Sequence, residues 1–150
     1  MASGISDGEY QALAEFRYHL RRFIRFSEEA ALEVGLESRQ HQLLLAVRGM
    51  PIGTEPTVGA LAERLQLRHH STVELIDRCE TRGLVRRTPH GSDRRQVIVE
   101  LTPAGDRLLR RLSVAHRAEL RGVGAELLSA LAPLVDDAAA RRGGTRGTAA

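Results

Sequence analysis

The stretch Thr57-Val-Gly-Ala-Leu-Ala-Glu-Arg-Leu-Gln-Leu-Arg-His-His-Ser-Thr-Val-Glu-Leu-Ile-Asp-Arg-Cys-Glu-Thr-Arg-Gly83 decides the fold. Thr57 is a good helix cap, and Val58, Leu61, Ala62 and Leu65 follow at i, i+3, i+4 and i+7, which puts them on one face of a short helix. Gln66-Leu67-Arg68 is a three-residue connection into a second helix that ends near Arg82-Gly83. Val73, Ile76 and Cys79 point one way on it, while His69, His70, Ser71, Glu74 and Arg78 cover much of the rest. Two short helices joined by a tight turn, the second polar and basic outside, form the helix-turn-helix pattern.

Downstream the period changes. Leu84-Val-Arg-Arg-Thr88 and Gln96-Val-Ile-Val-Glu-Leu101 read as β-strands, with Val97, Val99 and Leu101 alternating inward in the second. Pro89-His-Gly-Ser-Asp-Arg-Arg95 between them reads as a polar turn too long for a minimal hairpin. A basic hairpin directly after a helix-turn-helix is a wing. Thr102-Pro103 then caps a fifth helix carrying Leu108, Leu109, Leu112 and Ala115, which Gly122 and Gly124 weaken. A last helix carries Leu127, Leu128, Leu131, Leu134, Val135 and Ala138, and Pro133 is expected to kink or split it.

Upstream, Leu13, Phe16, Leu20, Phe23, Ala30 and Val34 keep a 3-4 spacing along one long helix from Glu9, with Gly35 as its C-terminal cap. Ser38 is the expected cap of a helix through about Arg48, with Leu44 and Val47 inward. Gly49-Met-Pro-Ile-Gly-Thr-Glu-Pro56 is punctuation. The fold class is therefore mainly α with a small β wing.

The chain has 150 residues, enough for one shared core, and 42% hydrophobic residues with which to build it. Aromatics are only 3%, which argues against a stacking platform for single-stranded nucleic acid. There is no apolar run of membrane-spanning length and no basic-then-apolar leader at the N-terminus. The lone Cys79 allows no intrachain disulfide, and a cytoplasmic protein is the expectation. All 22 basic residues are Arg, and the formal net charge is +3. Residues 64–95 carry eight Arg against four acids, so the whole positive excess lies in one stretch, a candidate phosphate-facing surface.

Four elements in this order resemble the MarR family of bacterial transcription regulators. They are Thr57-Val-Gly-Ala-Leu-Ala-Glu-Arg-Leu65, Ser71-Thr-Val-Glu-Leu-Ile-Asp-Arg-Cys-Glu-Thr-Arg-Gly-Leu-Val85, Asp93-Arg-Arg95 and Leu101-Thr-Pro-Ala-Gly105, within about residues 38–112. The resemblance implies a homodimer whose terminal helices interlock, each chain presenting a recognition helix and a wing to double-stranded DNA. It divides the chain into a tail (1–8), a dimerisation helix (9–37), a winged helix-turn-helix lobe (38–101), C-terminal dimerisation helices (102–140) and a disordered tail (141–150). The terminal apolar stripes suit a partner independently, because one small domain has no obvious cover for so many Leu.

For DNA, the start of the fourth helix supplies Arg68, His69, His70, Ser71, Thr72, Glu74 and Arg78 as candidates for the major groove. Glu74 repels phosphate, and either reads a cytosine amino group or is merely solvated. Arg68 stands where the family usually has a capping residue such as Ser. In the wing, Asp93-Arg94-Arg95 matches the family's Asp-x-Arg. The match implies that Arg95 enters the minor groove and that Asp93 braces the hairpin on a nearby Arg, with Arg94 and His90 adding phosphate contacts. Two-fold symmetry implies a pseudo-palindromic operator with half-sites roughly 10 base pairs apart.

The family commonly releases DNA when a small molecule, often an aromatic acid or phenol, binds between the dimer helices and the DNA-binding lobe. The corresponding candidates are Tyr18, His19, Arg22, Arg39 and His41, equally readable as ordinary surface or interhelix contacts. Repression released by such a ligand is the expected function, with a metal-, haem- or redox-responsive regulator as the alternative. Cys79 stands where an apolar residue points inward, whereas the family's thiol sensors keep theirs in the first helix. Adjacent His69 and His70 diverge by about 100° and do not chelate, so no metal or cofactor is expected, although His19, His41 and His116 keep the question open. No Gly-rich phosphate loop, His-Glu-x-x-His or Gly-x-Ser-x-Gly is present, and nothing places Ser, His and Asp as a catalytic set, so no enzyme is expected; an enzyme of unrecognised type or a protein-interaction module is the alternative of another class.

Overall fold

A computed structural model of the chain describes residues 4–90 and 93–143, with the side chains of His90, Asp93, Arg94 and residues 137–143 outside that set. The elements in order are α1 (Asp7–Glu33), α2 (Ser38–Arg48), α3 (Val58–Leu65), α4 (His69–Thr81), β1 (Val85–His90), β2 (Asp93–Leu101) and α5 (Pro103–Gly143). The chain separates into two compact units that divide within α1 and α5: Glu28–Ala115 forms one, and the residues through Ser27 with those from His116 onward form the other.

The Glu28–Ala115 unit holds the core. Leu36, Leu43, Leu44, Leu61, Leu75, Ile76, Cys79, Val85 and Val99 are essentially inaccessible, with Leu84, Leu109 and Leu112 beside them. Each large aliphatic side chain buried this way contributes about 1.5–3 kcal/mol relative to exposure. Val99 belongs to this core, while Val97 and Leu101 on the same strand face are only half-buried.

Local chemistry sets the helix ends. Ser6 and Glu9 form a capping box, with Ser6 N–H donating to Glu9 Oε2 at 2.8 Å and Glu9 N–H donating to Ser6 Oγ at 3.3 Å. The first helix thus starts at Asp7, inside the expected tail. Gly35, at φ +78°, ends it. Leu36 N–H reaches the Ala31 carbonyl and Gly35 N–H the Leu32 carbonyl, a left-handed turn that a side chain would strain. The cap of α2 is Glu37 rather than Ser38: its N–H donates to Gln40 Oε1 at 3.1 Å, and Ser38 is already helical.

The hairpin is also tighter than its composition predicts. Pro89 pairs with Val97 and His90 with Asp93, with a register shift between them that loops out Arg94-Arg95-Gln96 on β2. Pro at the edge of a two-stranded ladder loses no bond that its partner needs, so β1 continues through it. A third extended segment joins the sheet where Val99 N–H donates to the Pro56 carbonyl at 2.9 Å.

The C-terminal segment is one helix of 41 residues rather than two, with Gly122, Gly124 and Pro133 inside it. Pro133 removes one backbone donor and crowds the preceding turn, which a long helix can absorb by bending. The helix reaches Gly143, so 141–143 are helical where a tail was expected, and residues 144–150 lie outside the described set.

The other unit pairs the N-terminal part of α1 with the C-terminal part of α5. His116 Nε2 lies 2.7 Å from Ser27 Oγ, with the Phe23 and Phe26 rings edge-on to the imidazole. Among its described residues no apolar side chain is fully buried, and Tyr10, Leu13, Leu128, Leu131 and Val135 are all exposed.

Candidate nucleic-acid interface

Helix α3 is held at its start by Thr57, whose Oγ1 accepts from Ala60 N–H at 3.2 Å. It ends at Gln66, the one non-glycine described residue with positive φ (54°), whose side chain folds back to donate to the Glu63 carbonyl at 2.7 Å. The left-handed step turns the chain sharply, Leu67 N–H donates to the Ala62 carbonyl, and α4 begins at His69. Arg68 occupies the cap position and makes no side-chain capping bond. This leaves its guanidinium available to solvent.

The outward face at the start of α4 carries Arg68, His69, His70 and Glu74, all exposed, with Ser71 half-buried. Thr72 does not belong with them. It is fully buried, and its Oγ1 donates to the Arg68 carbonyl at 3.0 Å, so its role is to close the first turn, not to meet a base. Arg78 is exposed but engaged: its guanidinium lies 2.9 Å from Glu37 Oε2.

Other arginines of the basic stretch are held internally as well. Arg82 donates to the Gly35 carbonyl at 2.7 Å and to Gln40 Oε1 at 3.0 Å. Arg87 reaches Asp77 at 2.6 Å and Glu80 at 3.0 Å, and its backbone N–H also donates to Glu80. Arg86 lies 3.2 Å from Glu100. Four of the eight arginines between 64 and 95 therefore tie α4 and the hairpin to their surroundings. Among the described residues Arg64 and Arg68 have no such partner, and Arg95 is exposed on the looped-out part of β2. The expected roles of His90, Asp93 and Arg94 concern side chains outside the described residues.

The hairpin is anchored at its root. Thr102 Oγ1 accepts from Gly105 N–H at 3.1 Å and donates to the Gly83 carbonyl at 2.5 Å, and Thr102 N–H donates to the Leu84 carbonyl. A Cβ on Gly105 would stand 2.0 Å from the Leu84 carbonyl oxygen. The Thr-Pro-Ala-Gly run is thus a joint between the end of α4 and the start of α5. Sequence reading finds the cap but not the need for glycine, for which it has no local signal.

Burial pushes the Cys79 thiol up from 9.0 to about 11, against the opposing pull of Arg78 and Arg82. A protonated, inaccessible thiol is a poor nucleophile, as the structural reading of Cys79 requires.

The five ligand candidates fall into both units. Tyr18, His19 and Arg22 gather with two carboxylates: His19 lies 3.4 Å from Glu15 and 3.4 Å from Glu126, and Arg22 sits 3.7 Å from Glu126 and over the Tyr18 ring. Arg22 thus already has a carboxylate. Arg39 borders a small cleft in the Glu28–Ala115 unit, and His41 is buried at 2% exposure within that unit. No group of three or more His, Cys, Asp or Glu suited to a metal ion occurs among the described residues.

Residues 34–96 match the model of the MarR family. An uncharacterized HTH-type transcriptional regulator of Bacillus subtilis (strain 168), YsmB, is 34% identical over 65 residues, which is 43% of this chain. The match spans 44% of that relative's length. Among solved structures, AbsC, a MarR family transcriptional regulator from Streptomyces coelicolor, superposes with a TM-score of 0.67 at 23% identity, covering 93% of this chain and 99% of that one. A mutant of MepR from S. aureus, bound to an oligodeoxyribonucleotide, does so at 0.61 and 16% identity, covering 92% and 98%. At such identities the likeness establishes the fold. No helix among the described residues is long and apolar enough to cross a membrane.

Proposed function

The chain belongs to the MarR family of transcription regulators, and we propose that it acts as a homodimeric, sequence-specific binder of double-stranded DNA, repressing transcription until a small molecule releases it. One observation carries the reading: the start of α4 exposes Arg68, His69, His70 and Glu74 in one turn and a half of helix, and the hairpin that follows α4 exposes Arg95. That is a polar helix end of the size that a major groove admits, and the guanidinium on the hairpin suits a minor groove.

Dimerisation is supported by the unit built from the two chain ends, which leaves Tyr10, Leu13, Leu128, Leu131 and Val135 in solvent. Apolar side chains gathered on paired helices mark a partner surface, and a second copy satisfies a pseudo-palindromic operator. The buried thiol of Cys79 speaks against a redox trigger at that residue.

Selection of bound sites from random duplex DNA tests the reading. The expected outcome is a pseudo-palindrome with half-sites roughly 10 base pairs apart, bound by a dimer in sedimentation. A monomer at micromolar concentration, or a chain that ignores duplex at low ionic strength, overturns it.

A further inference from the structure

Arg39 on α2 and Arg64 on α3 border one cleft of about 300 Å³, entirely within the Glu28–Ala115 unit. Gln42 is its other polar member, and Leu65, Leu67 and Leu75 are the apolar ones. Both arginines are exposed, and no carboxylate lines the cleft. Among the described residues neither guanidinium has an ion-pair or hydrogen-bond partner, whereas Arg78, Arg82, Arg86 and Arg87 are all held by the protein itself. Two like charges on one small cleft repel each other, and no acid of the lining relieves them. The leucines suit the methylene stems of arginine, which lie along apolar surface while the charged heads stay in water.

We propose that Arg39 and Arg64 together grip one phosphate of a duplex backbone, a contact of α2 and α3 separate from the start of α4 and from the hairpin. This rests on the regulator reading above and assigns to DNA two arginines that neither groove contact uses. A backbone phosphate is a monoanion with two free oxygens, so one is available to each guanidinium. Gln42 can donate a further bond from its amide. The volume is at the lower end for a binding pocket, which limits the occupant to a single phosphate group.

The place of the cleft gives the contact its use. Leu67 lies in the turn between α3 and α4, and Leu75 lies on α4 with 1% exposure, so a phosphate seated here is tied to the element that enters the groove. A helix in the major groove has a phosphate row on either side, with one charge about every 3.4 Å along each strand. A backbone contact carries no sequence information: it fixes register and adds affinity to every duplex alike. The two arginines share one phosphate, and sharing has a signature. Either one alone still covers the phosphate, so counterion release is lost in full only when both are gone.

The test titrates the full chain with duplex DNA over a series of salt concentrations, using both the selected operator and a scrambled duplex. The chain carrying Arg39→Gln and Arg64→Gln together should bind both duplexes about tenfold or more weaker, with the slope of log affinity against log salt flattened by about one in total. Each single variant should flatten it by less than one. An unchanged slope in the double variant makes the two arginines solvated surface and overturns the proposal; a slope flattened by about two gives each its own phosphate and overturns the shared grip. Loss on the operator but not on the scrambled duplex would make the contact a base contact and also overturns it. A double variant that fails to fold is recognised by circular dichroism and replaced by Arg39→Lys with Arg64→Lys, which should keep the slope and lose part of the affinity, because the charges stay and the planar forks go; a flattened slope there overturns the proposal. Inorganic phosphate titrated into the DNA-free chain should bind no tighter than millimolar, and micromolar binding identifies a free-anion site instead. The outcomes separate this proposal from the regulator reading. A chain that selects a palindrome but keeps its slope in the double variant loses only the phosphate grip. One that binds all duplexes equally, with the slope flattened by about one, loses the sequence-specific reading and keeps the grip.

Discussion

The guanidinium of Arg82, at the end of α4, donates to the carbonyl of Gly35 at 2.7 Å, across the corner where α1 gives way to α2. Its second bond, to Gln40 Oε1, lands on an atom that also accepts from Glu37 N–H, and Glu37 in turn pairs with Arg78 one turn earlier on α4. The outward-facing helix is therefore fastened from behind by two arginines that charge counting alone assigns to DNA. Arg82→Ala should weaken operator binding and lower folding stability by about 1–3 kcal/mol, the range for a bond to a charged donor. Its affinity should fall with salt along the same slope as the wild type, because a positioning residue releases no counterions. Arg68→Ala, by contrast, should flatten the slope by about one. Operator titrations over a series of salt concentrations separate the two, and a flattened slope for Arg82→Ala would make it a phosphate contact instead.

Gly105 and Gly122 lie in the same helix and should respond oppositely to alanine. A Cβ at Gly105 meets the Leu84 carbonyl oxygen at 2.0 Å, and that oxygen belongs to backbone already bonded to Thr102. Neither partner can move without opening the joint between α4 and α5, so Gly105→Ala should cost about 3 kcal/mol or more. At Gly122 a Cβ meets nothing within 4 Å, and the substitution should stabilise the helix by up to about 1 kcal/mol. Urea unfolding of both variants checks the pair, and a Gly105→Ala chain as stable as the wild type would rule out the contact.

What the sequence discloses depends on how local the cause is. Thr57 and the 3-4 spacing after it specify α3 without reference to anything distant, and Gly35 and Gly83 mark helix ends because their positive φ is a property of the residue. The basic stretch is visible as charge, but its division is not: Arg78 finds Glu37 across 41 positions and Arg82 finds Gly35 across 47, pairings that exist only once the helices pack. Thr72 escapes a sequence reading for a related reason. Arg68 as cap sets the phase of α4 so that Thr72 falls on the buried side beside Leu75 and Ile76, and a polar residue there is explained by its bond to the Arg68 carbonyl. The length of the hairpin turn is overestimated because Pro89 and His90 look like turn residues, although an edge strand accepts both.

Cys79 should make stability fall in alkaline solution. Its thiol titrates near 9.0 when unfolded and near 11 when folded. Between those values the folded state holds the extra proton, so raising the pH through that window favours unfolding and lowers stability; below 9.0 the contribution is constant. Cys79→Ala removes this dependence at the cost of a small cavity. Comparing denaturation midpoints of the two chains at neutral pH and near pH 10 (roughly mid-window) tests the sign. The same burial predicts slow alkylation in the native protein and fast alkylation in urea, and equal rates would place the thiol at the surface.

Arg95 is the residue on which the wing's role in DNA binding turns. The register shift after Pro89 loops it out of the β-ladder, and it is exposed. A narrow minor groove concentrates negative potential, so a planar guanidinium delivered there on a short hairpin gains more than an arginine resting on a broad groove edge. Arg95→Ala should lose about 1–3 kcal/mol of operator affinity. Arg95→Lys should recover the phosphate part of that loss and not the groove part, since an ammonium is more strongly hydrated and lacks the planar fork. The discriminating measurement is a set of operators differing only in A·T content beside the half-sites. Wild-type affinity should rise with A·T content and Arg95→Ala affinity should not, and parallel responses would remove the hairpin from the minor groove.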